Sequence, residues 1–238
     1  MKNRGRYLLI LIIILVLWDS YVIKPLKLFT VFLHELGHTL MAFLFGYGIK
    51  DFKVNFNESG YTLTQTKGWF STFMVANGGY LGSVFFALLI LYFKRTQFKK
   101  YILGAIALIF LGVSLKYSDL SFTLLYSILF AAFVLVLYMA GNEKLNEWII
   151  DIIGISSAAY AVYDTFVDTI LLQINLQLHL IGNWNPKQMT DAMLLSKLTH
   201  IPAIVWGIIW LAIAISAVNA ILIKAPKGRK YTGSGGRP

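Results

Sequence analysis

Seven times along the chain an apolar run is long enough to cross a bilayer, over about residues 7–23, 28–46, 73–93, 101–116, 120–140, 148–172 and 201–223. A membrane-spanning helix needs ~20 mostly apolar residues. In lipid a helix is favoured because it satisfies its backbone polar groups within the segment. The expected fold is therefore an all-α polytopic membrane protein of about seven transmembrane helices. Only 13% of the 238 residues are charged, against about 25% in soluble domains, so there is no room for a large soluble domain. Residues 1–223 read as a single membrane-embedded domain. Residues 224–238 form a basic, Gly-rich tail of linker-like composition, set apart from function.

The stretches between the runs carry their own signals. Residues 1–6 are basic and lead into the first run, but no small-x-small cleavage pattern follows, so the run is expected to stay as a first span. Lys24-Pro25-Leu26-Lys27 reads as a turn between the first two spans. Residues 50–67 alternate polar and apolar, with strand formers at Tyr61-Thr62-Leu63-Thr64 and a turn signal at Glu58-Ser59-Gly60, which is the pattern of a β-hairpin after the second span. That hairpin is either a surface loop or an edge offered to an extended peptide. The net charge of +10 sits mainly at the ends of the apolar runs, where basic residues meet lipid headgroups. No nucleic-acid partner is implied.

Two of the runs hold ionisable residues where lipid should exclude them. The second contains His34-Glu35-Leu36-Gly37-His38. Residues four apart share a helix face, so His34 and His38 can hold one Zn2+ between them, with Glu35 alongside as a candidate general base. An ionisable residue at the centre of a membrane costs ~2.5–3.5 kcal/mol or more, and a bound metal compensates three of them at once. The chain has no cysteine, which excludes thiolate ligands and leaves the third ligand to a carboxylate or another histidine. The sixth run carries Asp164 and Asp168, again four apart. Asp164 lies deeper in the run and is the preferred third ligand, with Asp168 as the alternative. Thr190-Asp191 marks the start of a short helix, with either residue as its N-cap. His179 and His200 read as interfacial residues, and Trp206 and Trp210 as packing anchors. Asn77-Gly78-Gly79 opens the third span with small residues that let helices approach closely. The Asn77 amide there is a candidate substrate contact.

The segment His34-Glu35-Leu36-Gly37-His38, the hairpin behind it and the Gly-rich start of the next span together resemble the site-2 proteases, the intramembrane zinc metalloproteases. The stretch Tyr160-Ala161-Val162-Tyr163-Asp164-Thr165-Phe166-Val167-Asp168 is similar to a compact bacterial and plant branch of that group, as are Thr190-Asp191-Ala192 and Ile201-Pro202-Ala203-Ile204-Val205-Trp206. The Leu-Asp-Gly or Asn-x-Asp-Gly motif of other members does not stand in this chain. The resemblance implies a zinc metalloendopeptidase that hydrolyses peptide bonds in or near transmembrane segments of membrane proteins, embedded in a lipid bilayer, expected to be a bacterial cell membrane. It also implies a site reached from the cytosol, although the basic residues divide almost evenly between the two sides. The alternative is a non-proteolytic metal-binding membrane protein, either a transporter or a pseudoenzyme.

Overall fold

The computed structural model describes residues 2–18, 20–179 and 189–223. Its elements in chain order are α1 (Lys2–Val16), α2 (Lys24–Phe45), β1 (Ile49–Val54), β2 (Gly60–Thr64), α3 (Trp69–Phe93), a 3-10 turn (Gln97–Tyr101), α4 (Ile102–Tyr117), α5 (Phe122–Met139), α6 (Glu143–Thr165), a π-helical turn (Phe166–Leu171), α7 (Leu172–Leu178), α8 (Asp191–Thr199) and α9 (Ala203–Ile223). Among the described residues six stretches are long and apolar enough to cross a membrane: Lys24–Phe45, Trp69–Phe93, Gln97–Tyr117, Phe122–Met139, Glu143–Leu178 and Ala203–Ala220. With the shorter apolar helix Gly5–Val16, they form an all-α, multi-pass membrane protein with one small antiparallel hairpin.

The first run differs from the expectation. Helix α1 stops at Val16, and the residues read as a turn, Lys24 to Lys27, are instead the first turn of α2. Proline has no N–H to donate, and the first helical turn leaves its N–H groups unbonded in any case, so Pro25 fits there without cost. The residues of the tail, 224–238, and those of 180–188 within the long polar connection lie outside the described residues.

Helix α2 runs through the middle of the molecule and packs most extensively against α3. The contact is close because glycines meet at the crossing. A Cβ on Gly37 would overlap the Gly78 carbonyl, and one on Gly82 would stand 2.5 Å from the Gly37 Cα. Small residues at such a crossing allow backbone contact that larger side chains would prevent. On its other flank α2 buries Phe29 and Phe32. Phe32 stacks on Phe110 of α4 at 3.9 Å between centroids, and Phe29 on Phe130 of α5 at 5.2 Å.

The hairpin lies over α2. Phe52 of β1 packs edge-on against Phe32, while Phe52 and Val54 are fully buried. The β1 backbone is tied to the α4–α5 corner. The Ser118 hydroxyl donates to the Phe52 carbonyl (2.6 Å), the Val54 N–H donates to Thr123 Oγ1 (2.9 Å), and the Thr123 hydroxyl donates back to the Val54 carbonyl (3.0 Å). Backbone groups at this edge thereby find partners away from water. Glu58 turns the chain in a left-handed conformation, and Phe52 stands opposite Thr62 in the register.

A second cluster seats α8. Ala192 and Leu195 are buried against Ala76 and Tyr80 of α3 and Trp206 and Trp210 of α9. The Trp69 indole donates to the Leu198 carbonyl at 3.0 Å, and the Trp206 indole to Thr199 Oγ1 at 3.3 Å. The tryptophans therefore pack and clamp, as the sequence implied. Thr190 caps α8, its hydroxyl oxygen accepting from the Met193 N–H. Asp191 is thus the first residue of the helix, with its carboxylate free for other contacts.

Candidate metal centre

His34 and His38 lie one turn apart on α2, and Asp191 meets them from the start of α8. Asp191 Oδ2 is 3.2 Å from His34 Nε2 and 3.1 Å from His38 Nε2, and the two Nε2 atoms are 3.2 Å apart. Three donors held at 2.0–2.1 Å by one tetrahedral zinc would be separated by ~3.3 Å, so the triangle has the dimensions of three corners of such a site. The space beside it is kept clear by Gly79 of α3. A Cβ there would overlap His34 Nε2 and stand 2.5 Å from His38 Nε2. Two imidazoles, a carboxylate and an open side toward a residue without a side chain fit a catalytic zinc, which keeps its fourth position free.

The imidazoles are oriented from behind. His38 Nδ1 lies 2.7 Å from the Val75 carbonyl of α3. A hydrogen bond there places the ring proton on Nδ1 and leaves Nε2 as the donor to a metal. The His34 ring stands edge-on to Tyr80 at 4.8 Å, and Tyr80 stacks in turn on Trp210 at 4.7 Å. His34 Nδ1 is buried without a hydrogen-bond partner among the described residues. Burial pushes the Asp191 carboxyl up, but His38 and His34 outweigh it and hold the group well below the usual carboxylate range.

A family model described as Peptidase M50B-like matches residues 7–221, nearly the whole described chain. The chain belongs to the Peptidase M50B-like family. The resemblance to site-2 proteases read from the sequence is thereby borne out. No curated protein and no solved structure matches the chain. The six spans and the membership in a membrane-peptidase family make this a multi-pass integral membrane protein.

In this M50B-like chain, Glu35 follows His34 and is 5% exposed. Its Oε2 accepts a hydrogen bond from the Thr62 hydroxyl of β2 at 2.8 Å, and its carbonyl accepts one from Thr39 at 2.9 Å. The third member of the triangle differs from the sequence expectation. Neither Asp164 nor Asp168 belongs to the group; Asp191 does. The two aspartates lie one turn apart where α6 passes into the π-helical turn. They are near enough to His34 to share its electrostatic environment, but they do not belong to the triangle. Asp191 stands at the end of a polar connection, where a carboxylate is ordinary, and not inside an apolar run, where it would be conspicuous. The signal was present in the Thr190 cap and in the Ala192–Leu195 apolar spacing, which makes α8 a short helix that buries one face.

Asn77 also differs in use. Its amide nitrogen donates to the Phe73 carbonyl at 2.9 Å, and its oxygen accepts from the Trp210 indole at 2.9 Å. The side chain is engaged in joining α3 to α9, where a polar contact between helices acts as glue. His179 and His200 end α7 and α8 in left-handed conformations and stand outside the triangle.

Proposed function

We propose that the chain is an intramembrane zinc endopeptidase in which His34, His38 and Asp191 hold one Zn2+ and Glu35 is the general base. The observation that carries this reading is the convergence of three donor atoms 3.1–3.2 Å apart, two of them on the helix that also bears Glu35 and the third from α8. When bound, zinc polarises the scissile carbonyl and acidifies a water molecule beside it. Glu35 takes the proton from that water and hands it to the leaving amine. The partly exposed side chains of His34 and Asp191 give water a way in. Asp191, set at the first turn of α8, completes the ligand set without drawing on the carboxylate pair of α6.

The substrate in this reading is a transmembrane segment of another membrane protein, locally unwound so that its peptide bond is accessible. Among the described residues β2 pairs with β1 alone, so its outer edge can receive an extended peptide as an added strand. Glu35→Gln tests the base. The variant is expected to keep its zinc and lose cleavage of a co-expressed membrane substrate by about 10²–10⁴-fold. Cleavage at the wild-type rate would remove Glu35 from the mechanism.

A further inference from the structure

Alternate residues of a strand face the same way, and on β2 the set Gly60, Thr62 and Thr64 turns toward α2 and the preceding loop. Thr64 donates to the Gly48 carbonyl at 2.6 Å. Gly60 lies so close to Glu35 that a Cβ would stand 2.8 Å from Oε1 and 2.9 Å from Cγ. The Thr62 hydroxyl is 2.8 Å from Glu35 Oε2 and 3.1 Å from the Glu35 carbonyl. One hydroxyl has one proton to give, and the shorter contact to a charged oxygen is the stronger.

We infer that Thr62 is the positioning residue for the general base, so that the hairpin, rather than α2 alone, sets the direction of the Glu35 carboxylate. This rests on the reading of Glu35 given above. The hydroxyl holds Oε2 and leaves Oε1 to receive the proton. Gly60 supplies the room the carboxylate needs. The placement is passed on from the scaffold. Thr62 stands opposite Phe52, whose carbonyl is held by Ser118 at the end of α4, and the next pair of backbone groups on β1 is held by Thr123 at the start of α5. Thr62 is therefore fixed in space by the α4–α5 corner, and the carboxylate is fixed by Thr62. Orientation within a few tenths of an ångström is what a proton transfer requires, and a glutamate has enough rotatable bonds to lose it.

Thr62→Val keeps the shape and removes the hydroxyl, while Thr62→Ser keeps the hydroxyl. With a purified transmembrane-segment substrate in micelles, Thr62→Val is expected to lower kcat by about 10–100-fold, the scale of substitutions in groups that orient a catalytic site, with KM and zinc content unchanged. Thr62→Ser should restore kcat. The infrared band of the Glu35 carboxyl, isolated by subtracting the Glu35→Gln spectrum, should shift in Thr62→Val and stay in place in Thr62→Ser. A Thr62→Val protein with wild-type kcat and an unshifted band would overturn the inference, as would a Thr62→Ser protein as impaired as Thr62→Val. If the wild type cleaves nothing, the reading of Glu35 as base fails by itself, and the infrared band still decides whether Thr62 holds the carboxyl.

Discussion

Two of the clusters of ionisable side chains among the described helices are built on opposite plans. At one end, fully buried Asp151 of α6 meets Arg6 of α1 at 2.6 Å and is also paired with Lys94, at the end of α3. The Arg6 guanidinium further rests on the Trp148 ring. Two cations bracket one carboxylate there, and the contacts fasten three helices together. At the other cluster His34 Nε2, His38 Nε2 and Asp191 Oδ2 converge to within 3.1–3.2 Å of one another. Three lone-pair donors aimed at one point do not complete each other as a carboxylate and two cations do. A closed cluster is a fastening, whereas a cluster whose donors converge asks for a cation. Buried polar groups in a membrane are retained where they are paired or where they work, and the two clusters divide along that line.

The comparison can be tested from either side. The larger effect is expected at the open cluster. Gly79→Ala places a methyl group against His34 Nε2 and His38 Nε2, and should lower zinc affinity by about 10–100-fold while leaving the helices folded, as read by metal analysis beside circular dichroism. A protein that binds zinc normally with alanine at 79 would mean that the metal sits elsewhere. At the closed cluster Asp151→Ala leaves Arg6 and Lys94 unpaired. Removing one partner of a buried ion pair costs about 3–5 kcal/mol, so the unfolding midpoint should fall clearly. Zinc per folded chain should not change. Loss of zinc in Asp151→Ala without loss of stability would erase the distinction between the clusters.

The spans and two of the three members of the triangle were legible in the sequence, whereas the pairing of Asp151 with Arg6 and Lys94 was not. The apolar runs gave the spans because in lipid a backbone must bond within itself, and His34, Glu35 and His38 stood out because such residues are expensive there. The hairpin was readable from alternation and from Glu58-Ser59-Gly60. What escaped was the pairing of parts distant in sequence. Asp164 and Asp168 have the right spacing on the right kind of helix, but the fold brings Asp191 to the two histidines instead. Asp191 follows a long polar connection, and the burial of Ala192 and Leu195 against α3 and α9, with the Trp69 and Trp206 indoles on the far end of α8, carries it to α2. Asn77 was recognised as unusual, but its partner, Trp210, lies 133 residues away, beyond the reach of local pattern. Helix α1 ends at Val16 and α2 begins at Lys24 with Pro25 in its first turn, a pair of boundaries that a run of apolar residues does not mark.

Zinc content measured on purified Asp191→Asn and Asp164→Asn proteins decides the identity of the third ligand. The arrangement of the triangle predicts about one zinc per chain in the wild type and in Asp164→Asn, and a collapse of zinc content in Asp191→Asn. Zinc retained in Asp191→Asn and lost in Asp164→Asn would contradict it.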